Sequence, residues 1–240
     1  MTEIPGRFTI AIDGPAGAGK STVGERLAKR LHAVYFDTGV LYRAVTLAAL
    51  RRNIPPDDAD ALAELAGKLV VAVKRPSCDD GRQSDVLIDG EDVTWEIRSA
   101  SVDHNVSEVS AHPGVRAALL DAQRRIGRSG RVVMVGRDIG TAVLPDAEVK
   151  IYLLASLQER ARRRYEQLRF AGSTPDFDDI LEEMRRRDTI DSERAASPLR
   201  PAADAVLVDT DGCSIDDVVD RIAAIAEVRL GDVVEAGQPT

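Results

Sequence analysis

At 240 residues, with 44% hydrophobic and 30% charged residues, the chain has the composition of a globular protein with one large core. Its apolar runs are too short to span a bilayer, and a net charge of −8 argues against a general nucleic-acid binder. Cys78 and Cys213 form no Cys-x-x-Cys pair and the first residues lack a signal-peptide pattern. The expectation is a reducing, cytoplasmic setting without a structural disulfide or zinc site.

Phe8–Ile12 is a β-branched apolar run that predicts a buried strand. A glycine-rich loop follows at once, and Val23, Leu27 and Leu31 then give helical spacing from Ser21 to Leu31. Val34–Phe36 predicts a second strand, Val40–Arg52 a helix and Asp58–Leu65 another. Between about 69 and 93 the pattern changes. Val70–Val73 and Val86–Ile88 read as strands joined by short polar turns, which suit an antiparallel insert better than crossovers. Helices are expected over Trp95–Val109 and Pro113–Ile126, and strands at Val132–Val135 and Lys150–Leu154. Ser156 is an N-cap candidate for an arginine-rich helix that Gly172–Pro175 breaks. A further helix covers Phe177–Arg194, and Ala205–Val208 is the last strand. Ser214–Asp217 caps a final helix to Leu230, leaving a frayed tail over 231–240. Strands alternating with helices predict an α/β fold, a parallel sheet with helices on both faces.

Gly14-Pro15-Ala16-Gly17-Ala18-Gly19-Lys20-Ser21 matches the Walker A pattern in full, with the strand before it and the helix after it that such a loop requires. A match of this length arises by chance in about 1% of chains this long. Glycines let backbone N–H groups face a phosphate, the helix start adds its positive end, Lys20 reaches the β- and γ-phosphates, and the Ser21 hydroxyl can ligate Mg²⁺. The loop alone implies a bound nucleoside triphosphate. A GTPase would need Asn-Lys-x-Asp, yet Asn53 and Asn105 are not followed by lysine; a motor ATPase would need a strand ending in Asp-Glu. A phosphotransferase needs cations around the transferred group and a second anionic site. Five lysines stand against twenty-seven arginines, and several arginines fall where such a site would be built. Arg43 follows the second strand, and Gly136-Arg137-Asp138 closes the Val132–Val135 strand. Arg160, Arg163 and Arg164 cluster on one helix, and Arg187, Asp191 and Arg194 are spaced to share a helix face on the next. His32, His104 and His112 are scattered, and no catalytic part is expected of them.

With these residues the chain resembles the bacterial cytidylate kinases, nucleoside-monophosphate kinases of the P-loop type, from about Ile10 to Arg229. The likeness rests on Ile12–Thr22, Asp37-Thr-Gly-Val-Leu-Tyr-Arg43, Gly136–Thr141, Pro145–Ile151, Arg187–Asp191, Arg194 and Pro201–Ala205. It implies a P-loop core over 1–39, 110–155 and 176–240, a monophosphate-binding region over 40–109 holding the β insert, and a lid over 156–175. It also implies ATP- and Mg²⁺-dependent phosphorylation of CMP or dCMP, with no nucleic-acid or membrane partner and a monomeric state. Residues Gly14 to Thr22 would bind ATP. Thr38, Arg43, Ser107, Arg116, Arg137, Asp138, Arg187, Asp191 and Arg194 would line the CMP site. Arg43, Arg137 and Arg194 match phosphate-gripping positions, Ser107, Arg116 and Asp138 positions that read cytosine, and Asp191 a sugar contact. Thr38 replaces the serine of many relatives. Ser21-Thr22 replaces Gly-Thr, which leaves open whether Ser21 or Thr22 serves Mg²⁺. Lys20, Arg160, Arg164 and Arg187 are the expected catalytic cations. The rival readings are another small-molecule kinase, such as one acting on UMP, and a regulatory module that binds nucleotide without transfer.

Overall fold

The computed structural model describes residues 6–170 and 172–236. Its strands are β1 (Phe8–Asp13), β2 (Val34–Asp37), β3 (Val71–Lys74), β4 (Asp85–Ile88), β5 (Glu91–Asp92), β6 (Arg131–Val135), β7 (Val149–Leu154) and β8 (Val206–Asp209). Its helices are α1 (Lys20–Arg30), α2 (Gly39–Arg51), α3 (Ala59–Lys68), α4 (Ala100–Ala111), α5 (Pro113–Gly127), α6 (Leu157–Phe170), α7 (Phe177–Glu193) and α8 (Ile215–Ala236). The chain divides into two compact units. One comprises Met1–Asp37, Arg124–Glu193 and Ser197–Thr240, the other Thr38–Gln123 and Arg194–Ala196.

The first unit is built on a five-stranded sheet in the order β2-β6-β1-β7-β8, with every pairing parallel. All six residues of β1 are buried, which is why it reads as an unbroken apolar run rather than an alternating one. Ile10 pairs with Val133 on one side and Val149 on the other. Val23 and Leu27 of α1 and Ile222 and Ala226 of α8 bury against Ile10, Ile12 and Ile151. Each large side chain so covered contributes about 1.5–3 kcal/mol. Because the strands are parallel, the chain leaves β1, β2, β6 and β7 at one edge, with the β1 exit between those of β6 and β7.

The capping expectations are met. The Ser156 hydroxyl accepts from the Glu159 N–H, and Ser214 and Asp217 form a reciprocal box at the start of α8. That helix runs six residues past the expected Leu230, to Ala236; residues 237–240 of the expected tail lie outside the described residues. On α6 and α7, Ala161, Ile180 and Met184 form a small separate core, with Tyr165 and Phe177 edge to face at 5.9 Å.

In the second unit, α2 is buried almost all round, with Val40, Leu41, Tyr42 and Ala44–Ala49 covered. The expected insert is present as an antiparallel sheet, β3-β4-β5. Its polar turn is held by Arg82, whose guanidinium donates to Asp80, Asp85 and Asp92. The helix expected over Trp95–Val109 is broken. A 3₁₀ turn spans Glu96–Arg98, Ser99 is extended, and α4 begins only at Ala100. It ends at Ala111 because His112, preceding Pro113, is pushed out of the helical region (ψ 123°).

Candidate active site

The loops that follow β1 and β6 at the carboxyl edge of the first unit's sheet carry site residues. The phosphate loop turns on Gly14 (φ +148°), where a Cβ would lie 2.5 Å from the Leu153 carbonyl oxygen, so β7 passes too close for any side chain. Gly19 caps α1 in the left-handed region (φ +91°) with no side-chain cap, and the first turn holds no acidic residue. The N–H groups there are left to an anion. Pro15 is half-buried, Ala16 and Ala18 are buried, and Gly17 and Thr22 are exposed.

Lys20 is buried, and its Nζ donates to the Pro15 carbonyl at 2.6 Å. Burial, and then the guanidinium groups of Arg137 and Arg187, hold its ammonium pKa well below the ordinary lysine value, against the opposing pull of Asp37 and Asp13. Three cations thus act on one locus, an arrangement that a polyanion relieves. The Ser21 hydroxyl donates to Asp37 Oδ2 at 3.1 Å. This hydroxyl–carboxylate pair, at the ends of the loop and of β2, offers the hard oxygens that Mg²⁺ takes. Two protein oxygens on one side suit an ion whose remaining ligands are phosphates and water.

After β6, Arg137 donates from Nε to Asp191 Oδ2 at 3.0 Å, and Asp138 and Asp191 are both buried. Asp13 anchors this loop. Its two carboxylate oxygens accept the N–H groups of Ile139 and Gly140, each at 2.8 Å. Burial pushes the Asp13 carboxyl up to about 6, with Asp138 adding to the push, although the two backbone bonds and Lys20 oppose it. On α6, Arg160 is buried against Asp188, Ala16 and Ala155, and Arg163 donates to Thr210 and Glu159. Arg164 donates to Gln167 on the same helix. The expected common face of Arg187, Asp191 and Arg194 needs correction. Helix α7 stops at Glu193 because the Leu199 N–H, at 2.7 Å, takes the Asp191 carbonyl that would continue it. Arg187 and Asp191 share the face; Arg194 lies past the helix, in the other unit.

In that second unit, Thr38 is buried at the start of α2. Arg43 donates to the Ile97 carbonyl at 3.0 Å and to Asp103 at 2.5 Å. Ser107 and Arg194 are buried. Arg116, also buried, donates to the Ser110 carbonyl and lies 5.2 Å over the Tyr42 ring. Sequence reasoning assigned no role to Asp13, Asp37, Asp188, Tyr42 or Asp103. Asp13 and Asp37 stand out as acidic residues ending their strands, and Tyr42 and Asp188 adjoin Arg43 and Arg187 in the quoted motifs; Asp103 gave no signal at any fixed spacing.

Residues 10–228 match the sequence profile of the cytidylate kinase family. The chain is 50% identical over 225 residues to a cytidylate kinase from Anoxybacillus flavithermus, covering 93% of this chain and 98% of that protein. It is 47% identical over 226 residues to the cytidylate kinase of Listeria monocytogenes, covering 94% and 99%. A gluconokinase from Sinorhizobium meliloti superposes with a TM-score of 0.50 at 15% identity, over 98% of this chain and 99% of that one, which is a likeness of fold alone.

Proposed function

The chain belongs to the cytidylate kinase family, and on that premise we propose that it transfers the γ-phosphoryl group of ATP to CMP or dCMP, giving CDP or dCDP. As a nucleoside-monophosphate kinase it acts in pyrimidine nucleotide metabolism. The observation that carries the mechanism is Lys20, buried at the start of α1 with its Nζ on the Pro15 carbonyl of the phosphate loop.

An acceptor phosphate is already largely ionised near neutral pH, its second pKa being about 6, so no base is needed to expose the attacking oxygen. That oxygen bonds to the γ-phosphorus while the bond to the β,γ-bridging oxygen breaks and ADP departs. Repulsion between two polyanions opposes the reaction, and fixed cations offset it. Residues 14–22 hold the donor phosphates, with Lys20, Arg187 and Arg164 neutralising the transferring group. When bound, Mg²⁺ would add charge neutralisation on the donor phosphates, held through Ser21 and Asp37. In the first unit, Arg137 takes the acceptor phosphate, Asp138 the base edge and Asp191 a sugar hydroxyl. In the second, Arg43 and Arg194 serve the phosphate, and Thr38, Ser107 and Arg116 the nucleoside. The enzyme acts as a cytoplasmic monomer with no nucleic-acid partner. Cys78 and Cys213 are free, exposed thiols. Among the described residues, no helix is long and apolar enough to cross a membrane.

A coupled assay with Mg-ATP and CMP, dCMP, UMP, AMP and GMP tests this reading. CMP and dCMP should lead by at least tenfold in kcat/KM; equal use of CMP, AMP and GMP would end it.

A further inference from the structure

Arg160 sits in the first turn of α6 with only 4% of its surface exposed. Its Nε donates to the Ala155 carbonyl at 3.1 Å. Nη1 donates to the Ala16 carbonyl at 3.1 Å and to Asp188 Oδ1 at 3.0 Å, and Nη2 to Asp188 Oδ2 at 2.5 Å. Those bonds use four of the five N–H groups of a guanidinium. Three parts of the first unit therefore meet on one side chain: the phosphate loop, the start of α6 and the middle of α7. The packing is close. A Cβ on Gly17 would lie 3.0 Å from Arg160 Cβ and 3.2 Å from Met184 Cε, so the loop rests directly on both helices.

The Ala16 bond has a geometric consequence. A trans peptide is planar, so its C=O and the following N–H point in opposite directions. Pinning the Ala16 carbonyl outward on Arg160 aims the Gly17 N–H inward, toward the turn of the phosphate loop. The bidentate pairing with Asp188 fixes the plane of the guanidinium, which a single hydrogen bond would leave free to rotate. With Arg160 buried and Asp188 half-buried, the pair is weak evidence for net stability, but its two bonds hold the guanidinium in one orientation.

We propose that Asp188 is a positioning residue for the donor nucleotide: it holds Arg160 so that Arg160 fixes the Ala16 peptide and sets the direction of the phosphate-loop N–H groups. Arg160 then serves the reaction through the loop rather than by touching the transferred group. The proposal rests on the reading that the ATP phosphates lie in this loop.

The test uses the full-length protein with three variants, Asp188→Asn, Asp188→Glu and Arg160→Lys. ATP affinity is measured by calorimetry without acceptor, and kcat and KM for both substrates are measured beside it. Asp188→Asn keeps the size but loses the charged fork; Arg160→Lys keeps the charge but loses the fork. Each should weaken ATP binding about tenfold and raise the ATP KM to match, with the CMP KM held within twofold. Asp188→Glu should recover part of the loss. The Asp188→Asn/Arg160→Lys double variant should be no worse than either single one, because both act through one contact. If Asp188→Asn does not fold, Arg160→Lys carries the same test. The proposal falls if Arg160→Lys cuts kcat a hundredfold while ATP affinity stays at the wild-type value, because Arg160 would then act on the transferring group itself. It also falls if ATP affinity is unchanged in every variant. A wild-type protein that does not bind ATP would instead remove the donor reading beneath it.

Discussion

Replacing Asp13 by Asn should flatten a specific part of the protein's pH–stability profile. Asp13 ends the central strand with 4% of its surface exposed and accepts two backbone N–H groups from the loop that carries Arg137 and Asp138. Those bonds and Lys20 favour the carboxylate, but burial and the nearby Asp138 outweigh them and raise the pKa from 3.8 to about 6. A rise of roughly two units corresponds to about 3 kcal/mol, at about 1.4 kcal/mol per unit. The folded-state pKa lies above the unfolded one. The favourable contribution is therefore complete below pH 3.8 and is lost as the pH climbs through 6. The Asp13→Asn variant has no such loss. It has instead a pH-independent cost of about 1–3 kcal/mol, because its amide can accept from only one of the two N–H groups. Urea unfolding of both proteins from pH 4 to pH 8 gives the difference directly. Wild type minus variant should fall by about 2 kcal/mol between pH 4 and pH 7, because at pH 4 the unfolded carboxyl is already more than half ionised. A difference constant to within about 0.5 kcal/mol would refute the electrostatic account of this carboxylate.

Lys20→Ala should lower kcat by about a hundredfold or more while circular dichroism shows an intact fold; retained turnover would take Lys20 out of the mechanism. Arg137→Ala should raise the KM for CMP about tenfold and leave ATP affinity near the wild-type value, and an unmoved CMP KM would count against its acceptor role. Gly24→Ala, within α1, would set a Cβ 2.6 Å from Val135 Cγ1. Thermal unfolding should show a loss of about 1–3 kcal/mol from overpacking, with both Michaelis constants unchanged; a neutral result would mean that α1 and β6 can move apart.

Local pattern carried a large share of the fold. β1 and its loop are contiguous, so periodicity and glycine spacing suffice to place them. The insert was legible because its alternating runs are separated by turns too short for crossovers. Boundaries failed where the deciding partner is distant in sequence or is a single backbone torsion. The end of α7 depends on Leu199 reaching back to the Asp191 carbonyl, and no i,i+4 count contains that bond. The break before α4 is one extended residue, Ser99, inside a stretch of otherwise helical composition.

By itself, then, the sequence determined what is local: a phosphate loop between a buried strand and a helix, an α/β alternation, and arginines at strand ends and on two helices. Tertiary structure decided what those arginines face. Arg160 and Arg163 looked equivalent to Arg164 along one helix. In the folded chain Arg160 is held by Asp188 and two carbonyls, Arg163 by Glu159 and Thr210, and Arg164 by its own helix neighbour Gln167. Lys20 was identified by its place in a motif, but its depressed pKa comes from burial and from Arg137 and Arg187, more than a hundred residues away. Spacing assigns residue types to elements; only packing brings charges from separate elements within a few ångströms, where desolvation and Coulomb forces set what they can do.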